Sequence, residues 1–112
     1  MSPRRGEVWL VNLDPVEGHE QAGRRPALVL SVDAFNSSQA ELVTLLPITS
    51  KARAVRTRVE VRPPEGGLGT VSYVMGEQTR TVSTRRLVRR LGVASGGTIA
   101  RVSEIVRVLL GL

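Results

Sequence analysis

The sequence predicts a mainly β protein, a small antiparallel sheet or barrel that one C-terminal helix closes. Short apolar runs rich in strand-forming residues follow one another from residue 7 to residue 93, separated by turn residues. Apolar side chains then change to helical spacing near the C-terminus. A chain of 112 residues suffices for one compact domain and is too short for two separate cores, so we expect a single domain, 1–112.

Each predicted strand is bounded by a turn signal. Asp14-Pro15 ends the first strand, and Pro26 stands at the entry of the second, where proline is tolerated. Residues 33–39 are predicted to form one helical turn or a polar link before the third strand, and Gly76 ends or bulges the extended structure between the fifth and the sixth strands. The predicted strands are 7–13, 27–32, 41–47, 57–61, 71–75, 77–82 and 87–93.

The C-terminal segment predicts an amphipathic helix. Its apolar positions recur at helical spacing, and the charged positions between them fall elsewhere on the helical wheel. Thr98 is the predicted N-terminal cap, and Gly111 stands where a helix stop belongs. The apolar positions are Ile99, Val102, Ile105, Val106, Leu109 and Leu110.

The charge of the chain points to a polyanionic partner. Sixteen basic residues against ten acidic ones give a net charge of +6, and all the basic residues except Lys51 are arginines. Residues 1–50 carry a net charge of −2 and residues 51–112 a net charge of +8. Because the arginine fork matches phosphate and stacks on bases, nucleic acid is the favoured partner. An arginine-rich coding bias is the ordinary alternative.

Several kinds of chemistry are excluded by residue counts. With no cysteine, the chain has neither a disulfide framework nor a thiolate metal site, so a reducing compartment is expected. A single histidine excludes a histidine pair, and the acidic residues lack the spacing of a metal-binding motif. We therefore predict no metal and no cofactor. Only three aromatic side chains are present, so a sheet of base-stacking aromatics is not expected.

Polar residues gather at the ends of the predicted strands. The loop after the first strand carries His19-Glu20-Gln21, and Arg25 stands at the mouth of the second strand. Thr49 follows the third strand, and Glu77-Gln78-Thr79-Arg80 follows Gly76. Because loops at strand ends bring distant segments together, these residues could share one cleft. The ordinary alternative is that Glu20 pairs with Arg24 and that Thr49 and Gln78 are plain surface residues.

Three stretches resemble the MazF/PemK family of toxin endoribonucleases. The first runs from Arg5-Gly-Glu-Val-Trp through Gly18-His-Glu-Gln-Ala-Gly-Arg-Arg-Pro26 into the apolar run after it. The second is Leu46-Pro-Ile-Thr-Ser50, and the third is Glu77-Gln-Thr-Arg-Thr-Val82. The resemblance covers nearly the whole chain. It implies an SH3-like barrel with a terminal helix, and an enzyme of a type II toxin-antitoxin system.

The resemblance also implies a reaction. Members of this family cut single-stranded RNA at short sequences without metal, using the 2′-hydroxyl of the RNA, and leave 2′,3′-cyclic phosphate and 5′-hydroxyl ends. Carried over by motif, the main catalytic residues are Arg25 and Thr49. An arginine is a poor proton carrier near neutrality, so we expect it to stabilise charge on the phosphorus.

Proton transfer needs further groups. His19 has a suitable intrinsic pKa, and Glu20 or Glu77 would serve if burial raised their pKa values. In one branch of the family an arginine stands two residues before the acidic residue, and here that position is Met75. Residues expected to bind RNA are Gln21, Lys51, Arg53, Arg56, Gln78 and Arg80. Arg24 is expected to be a solvated neighbour.

The resemblance implies partners besides messenger RNA. These are a second copy of the chain, in a homodimer, and a small acidic MazE-like antitoxin whose tail blocks the RNA groove. The sequence start leads straight into a strand pattern and no apolar run is long enough for a membrane span, so we expect a cytoplasmic protein without a membrane contact.

Two other functions stay open at this point. The first is a CcdB-like toxin that binds DNA gyrase and has no nuclease activity. The second is a nucleic-acid-binding module without catalysis. Glu20, Gln21, Arg25 and Thr49 favour RNA cleavage over the first, because a gyrase-binding protein does not need them.

Overall fold

The computed structural model describes residues 2–15, 17–20 and 22–112. Seven strands, one helical turn, one longer helix and three short 3-10 turns (Glu65–Gly67, Gly76–Gln78 and Thr84–Arg86) account for the regular structure of the described residues. The strands are β1 (Glu7–Asn12), β2 (Arg24–Val29), β3 (Leu42–Thr49), β4 (Arg58–Val61), β5 (Ser72–Met75), β6 (Arg80–Ser83) and β7 (Leu87–Val93). The helical turn α1 is Asp33–Asn36, and the helix α2 is Gly96–Leu109. The predicted mainly β protein with a C-terminal helix is confirmed.

The strands form one antiparallel, barrel-like sheet. They pair in the order β4-β5-β3-β2-β1-β7, and β6 pairs with the first half of β3. β3 is the central strand, because its last residues pair with β5 while its middle pairs with β2. Among the described residues, β4 and β7 end the ladder, so strand pairing does not close the barrel.

Both faces of the central strands are buried, which explains their nearly continuous apolar sequences. Alternate side chains of β1, β2 and β3 point to two separate apolar clusters. The helix-side cluster takes Val8, Leu28 and Leu46 and is covered by Val102 and Val106 of α2. The second cluster lies on the opposite face and contains Trp9, Val11, Leu13, Ala27, Val29, Val43, Leu45 and Val82.

The N-terminus of α2 is capped by Ser95, not by Thr98 as predicted. The Ser95 hydroxyl accepts a hydrogen bond from the Thr98 amide at 3.2 Å, which satisfies one of the unpaired amides of the first turn. Thr98 lies inside the first turn, is buried, and donates its hydroxyl to Glu65 Oε2 at 2.6 Å. At the other end Gly111 has a φ of +72° and follows the helix, as predicted.

Several strand boundaries differ from the prediction; β2 ends at Val29 and not at 32, and β3 extends to Thr49, which was predicted to follow the strand. β2 begins at Arg24, so Pro26 lies within the strand and not at its entry. Pro26 is opposite Leu10 of β1, whereas pairing with β3 begins only at Ala27, so the missing amide interrupts no β2–β3 bond. Residues Gly76–Gln78 form a short 3-10 turn, and the strand predicted at 77–82 is shortened to β6.

The described part of the chain contains no helix that is long and apolar enough to cross a membrane.

Candidate active site

The pairing of β2 with β3 brings the two main predicted residues together. Ala27 is opposite Pro47 in this antiparallel ladder. Arg25 lies two residues before Ala27 near the start of β2, and Thr49 lies two residues after Pro47 as the last residue of β3, so both stand just beyond the paired residues at this end of the ladder. Although 24 positions separate them in sequence, both line one cavity.

Local hydrogen bonds fix both side chains. Thr49 is 5% exposed, and its Oγ1 accepts a hydrogen bond from the Lys51 amide at 3.2 Å. Because the oxygen serves as an acceptor there, its proton is available for donation to a ligand. The Nε of Arg25 donates to the carbonyl oxygen of Ala22 at 2.8 Å, which orients the half-buried guanidinium.

A polar cavity of about 330 Å³ contains these two residues. Most of the described residues that line it are cationic or hydrogen-bonding, and none carries a carboxylate. Several guanidinium and ammonium groups around one cavity favour a polyanion such as a phosphodiester. The lining residues are His19, Arg25, Thr49, Lys51, Arg53, Arg58 and Gln78.

Gln78 and Arg80 hold the loop between β1 and β2 against the sheet. Gln78 Nε2 donates to the carbonyl oxygen of His19 at 3.3 Å. The side chain of Arg80 is 18% exposed, and its Nη2 donates to the carbonyl oxygen of Leu13 at 3.0 Å. Its Nη1 lies 3.6 Å from Glu20 Oε2. The ion-pair partner of Glu20 is therefore Arg80 and not Arg24. These contacts fix the loop segment that carries His19 beside the cavity.

Glu77 is held by Thr57 and Arg58. Its Oε1 accepts from the Thr57 hydroxyl at 2.7 Å, and its Oε2 accepts from Arg58 Nε and Nη2 at 2.9 and 2.7 Å. Partial burial raises the pKa of Glu77, but the hydrogen bonds from Arg58 and Thr57 outweigh it, so the pKa lies below its ordinary value of 4.5. The raised pKa that an acid role required is thus not found.

The cavity brings together six of the predicted site residues, namely His19, Arg25, Thr49, Lys51, Arg53 and Gln78. Glu20, Glu77 and Arg80 belong to the ion pairs around it and do not line it. Arg56 lines a different cavity, beside the end of α2. Gln21 lies outside the described residues.

Arg58 is the cavity residue that the sequence analysis missed. It opens β4 and lies across from Met75 in the β4–β5 ladder. No motif marks it, because its place depends on the pairing of two strands that are separated by a loop. The charged tract 51–58 was the one available signal.

Among the described residues, no group of three or more histidine, aspartate or glutamate side chains is arranged to hold a metal ion.

A small β protein whose strand ends enclose a cationic cavity with an ordered arginine and a buried threonine belongs to the class that binds phosphodiesters. Comparison with known proteins agrees with that class. Residues 4–110 match the family model of the PemK-like, MazF-like toxin of type II toxin-antitoxin systems. The chain belongs to this family, and the resemblance predicted from the sequence is confirmed.

Two similar proteins carry the name endoribonuclease. Endoribonuclease MazF9 of Mycobacterium tuberculosis is 35% identical over 114 residues, with 97% of each chain covered. Endoribonuclease PemK of Escherichia coli is 40% identical over 82 residues, which cover 72% of this chain and 61% of PemK. These relatives favour RNA cleavage over the gyrase-directed alternative.

Solved structures show the same fold. The crystal structure of MazF from Deinococcus radiodurans superposes with a TM-score of 0.91 at 34% identity, covering 100% of this chain and 99% of that one. A MazE-MazF structure from the same organism superposes with a TM-score of 0.81 at 34% identity, covering 100% and 98%. The predicted MazF-like architecture is therefore confirmed.

Proposed function

We propose that this chain is the toxin of a type II toxin-antitoxin system and cleaves single-stranded RNA without a metal ion. The observation that carries the proposal is the cavity in which Arg25 and Thr49 meet across β2 and β3, with Lys51 and Arg53 beside them. A cationic cavity of this kind suits a phosphate whose negative charge increases during the reaction. Family membership supports the choice of RNA as the substrate.

The chemistry is an internal transesterification. The 2′-oxygen of the nucleotide before the scissile bond attacks the adjacent phosphorus while its proton leaves to a base. The bond from phosphorus to the 5′-oxygen breaks, and that oxygen takes up a proton. The products are a 2′,3′-cyclic phosphate and a 5′-hydroxyl, so no water or redox partner enters the balance.

Arg25 and Thr49 stabilise the pentacoordinate phosphorus. The guanidinium of Arg25 binds the non-bridging oxygens, where negative charge accumulates, and the Thr49 hydroxyl donates one further hydrogen bond. A single well-placed donor of this kind lowers the activation barrier by about 3 kcal/mol in enzymes. Both groups are preset by the contacts to Ala22 and Lys51, so little reorganisation is needed.

His19 is the group on the cavity wall that is suited to move a proton. Imidazole is the side chain whose ordinary pKa lies closest to neutrality, so it can both accept and donate. The hydrogen bond from Gln78 to the carbonyl oxygen of His19 fixes the backbone that carries the ring. Glu20 does not line the cavity and is the counter-ion of Arg80.

Lys51 and Arg53 bind phosphates on either side of the scissile bond. Both side chains are exposed at the cavity rim, on the segment after β3. Contacts of this kind place the RNA without reading its sequence. Gln21, Arg56, Gln78 and Arg80 complete the proposed RNA-contacting set, with Gln78 and Arg80 also holding the β1–β2 loop.

The chain, 1–112, acts as one unit in a homodimer in the cytoplasm and is neutralised by a small acidic antitoxin. A second copy would cover the apolar end of α2, where Val108 and Leu110 are 63% and 61% exposed.

An acidic antitoxin suits a toxin with a net charge of +6. We expect it to compete with RNA, and an antitoxin-saturated toxin that still binds and cuts RNA would contradict this part.

The test is incubation of the purified protein with a long single-stranded RNA in excess EDTA, followed by mapping of the cut sites and their end groups. Arg25→Ala and Thr49→Ala proteins run beside it after a check of their folding by circular dichroism. We expect cuts at a defined sequence with cyclic phosphate ends, and none in either variant. Intact RNA in the wild-type reaction contradicts the proposal and makes a DNA-gyrase assay the next experiment.

A further inference from the structure

Arg58 is the one cation of the cavity wall to which the reaction described above gives no role. Its side chain is 12% exposed, so the charge is largely withdrawn from water. It stands at the first position of β4, across from Met75 and next to the Gly76–Gln78 turn that carries Glu77. A buried guanidinium that faces a ligand cavity needs a structural or a functional reason.

Glu77 holds this guanidinium by a two-donor ion pair. Arg58 uses Nε and Nη2 for Glu77 Oε2, so Nη1 takes no part in the pair. The other carboxylate oxygen accepts from the Thr57 hydroxyl, which precedes Arg58 in the chain. Both oxygens of Glu77 are thus occupied by the segment that presents Arg58 to the cavity. A carboxylate bound in this way is an orienting group and not an open proton carrier.

We propose that Arg58 is a further phosphate-binding residue of the cavity, with Glu77 and Thr57 as the positioning residues that hold it there. The inference rests on the proposed function, because the ligand is the phosphate chain of RNA. Arg25 reaches the cavity from β2 and Arg58 reaches it from β4. A second guanidinium on the wall of the same cavity adds a donor for the bound phosphate and for its more negative transition state.

This assignment gives Glu77 a different role from the acid–base role predicted for it. Its effect on cleavage runs through Arg58, so removal of Arg58 must also remove the effect of Glu77. A proton-transfer role makes the opposite prediction, because a base or acid would still be needed after Arg58 is lost. A double-mutant cycle of Arg58 and Glu77 therefore distinguishes the positioning role of Glu77 from a proton-transfer role.

The matched control is Arg62, four residues along the chain. Its Nε lies 2.8 Å from Glu60 Oε2, but this pair is exposed, with Arg62 at 73%, and does not line the cavity. Arg58→Gln and Arg62→Gln remove the same charge from the same hairpin. We expect Arg58→Gln to lower kcat about 100-fold and Arg62→Gln to leave it within about twofold. Equal kcat values for the two variants overturn the proposal.

The cycle is completed with Glu77→Ala. We expect this change to lower kcat in the wild-type background and to have less than about a twofold further effect when Arg58 is already Gln. The pH–rate profile keeps its shape in Glu77→Ala, because the titrating group lies elsewhere. An equal loss in both backgrounds, or the disappearance of one limb of the profile, overturns the positioning role.

A binding measurement separates this inference from the proposed function. The probe is a single-stranded oligonucleotide with 2′-O-methyl groups throughout, which binds but has no 2′-hydroxyl to react. We expect the slope of log K against log salt to be about 0.7 smaller for Arg58→Gln than for Arg62→Gln. Equal slopes overturn the phosphate contact. If the slope is smaller for Arg58→Gln but the wild-type protein does not cut RNA, the phosphate contact stands and the nuclease function is rejected.

Folding is followed by thermal melting of each variant. If Arg58→Gln does not fold, Arg58→Lys carries the test, because it keeps the charge beside Glu77 but presents an ammonium in place of the planar guanidinium fork. We expect about a tenfold lower kcat with an unchanged salt slope. A kcat equal to that of the wild type overturns the assignment.

Discussion

The side chains of Arg25 and Thr49 are oriented by contacts with residues three and two positions away in the chain. Arg25 is oriented by the Ala22 carbonyl, and Thr49 is bound by the Lys51 amide. Neither contact depends on a ligand, so both side chains are oriented before any ligand binds. Preset donors are the kind that lower a barrier most, because no reorganisation accompanies the reaction.

Arg25 and Arg24 offer a comparison between neighbouring arginines. Arg24 is exposed, and Arg25 is half-buried in the cavity wall. We expect Arg25→Ala to lower kcat/KM by about 100-fold or more, because it removes a charge that contacts the reacting phosphate. Arg24→Ala removes the same charge one residue away and should cost less than about threefold, through weaker RNA attraction alone. Steady-state cleavage of a fluorogenic RNA measures both, and equal losses would contradict the assignment.

The carboxyl group of Glu77 makes the stability of the fold depend on pH. Its pKa is lowered by the hydrogen bonds from Arg58 and Thr57, although partial burial acts against them. A carboxyl group with a lowered folded-state pKa stabilises the fold above its unfolded-state pKa, and that contribution is lost as pH falls through the folded value. We expect Glu77→Gln to be less stable than the wild type at pH 7, with the difference shrinking below pH 4.5. Urea unfolding at several pH values measures it, and a constant difference would contradict the cause.

At the scale of elements, the Gly76–Gln78 turn packs against the segment before β4. The Gly76 amide donates to the Thr57 carbonyl oxygen at 2.9 Å. A Cβ at this position would lie 2.6 Å from the same oxygen and 2.8 Å from Ile105 Cγ2. This close approach of two backbones is what lets Glu77 reach both Thr57 and Arg58.

Gly76→Ala tests that packing. We expect a loss of about 2 kcal/mol in the free energy of unfolding, because the Thr57 backbone must move to admit a methyl group. Gly69→Ala is the matched control, since a Cβ there meets nothing within 4 Å and its φ is not in the left-handed region. Denaturant melts of both variants give the comparison. Equal stabilities would show that the turn yields without cost.

The strands and the helix α2 could be predicted from the sequence, but where they end and which strands pair could be predicted less well. The apolar runs and the helical spacing identified the strands and α2, because burial alone produces those patterns. The cap of α2 was assigned to Thr98 and is Ser95, since both residue types cap helices and only the backbone turn decides. Pro26 lies within β2 because a strand end is set by its neighbours, which the sequence does not display.

Some residues of the candidate site could be predicted from the sequence, and others could not. Arg25, Thr49 and His19 could be predicted because they stand in a motif at fixed offsets. Arg58 could not, because it reaches the cavity through the pairing of β4 with β5. Arg80 was predicted to bind RNA, and its hydrogen bond to the carbonyl oxygen of Leu13, 67 positions away in the sequence, was not predicted. Long-range contacts of this kind follow from topology and leave no local signal.

At the scale of the whole molecule, the basic segment after β3 borders two features, because Arg53 lines the cationic cavity and Arg56 lines the cavity beside the apolar end of α2. The cationic cavity is at one set of strand ends, whereas the end of α2 exposes Val108, Leu109, Leu110 and Leu112. A run of exposed apolar side chains at one helix end is typical of an interface. The proposed homodimer uses this end.

Substitution at the helix end tests the homodimer. We expect the wild type to elute with a mass of twice 12.1 kDa and Val108→Asp to shift toward the monomer, because a buried unpaired carboxylate opposes association. Val32→Asp is the control, since Val32 is 56% exposed next to α1 and is not part of this helix end. Size-exclusion chromatography with light scattering at several concentrations gives the masses. A dimer that survives Val108→Asp and dissociates in Val32→Asp would place the interface elsewhere.

The central claim, that the RNA supplies its own nucleophile in a cavity built around Arg25 and Thr49, is tested most directly by one substrate atom. An RNA oligonucleotide containing a mapped cut site is compared in excess EDTA with the same oligonucleotide lacking only the 2′-hydroxyl before the scissile bond. We expect the first to be cut with a 2′,3′-cyclic phosphate end and the second to stay intact. Cleavage of the 2′-deoxy substrate at the same bond would contradict the mechanism.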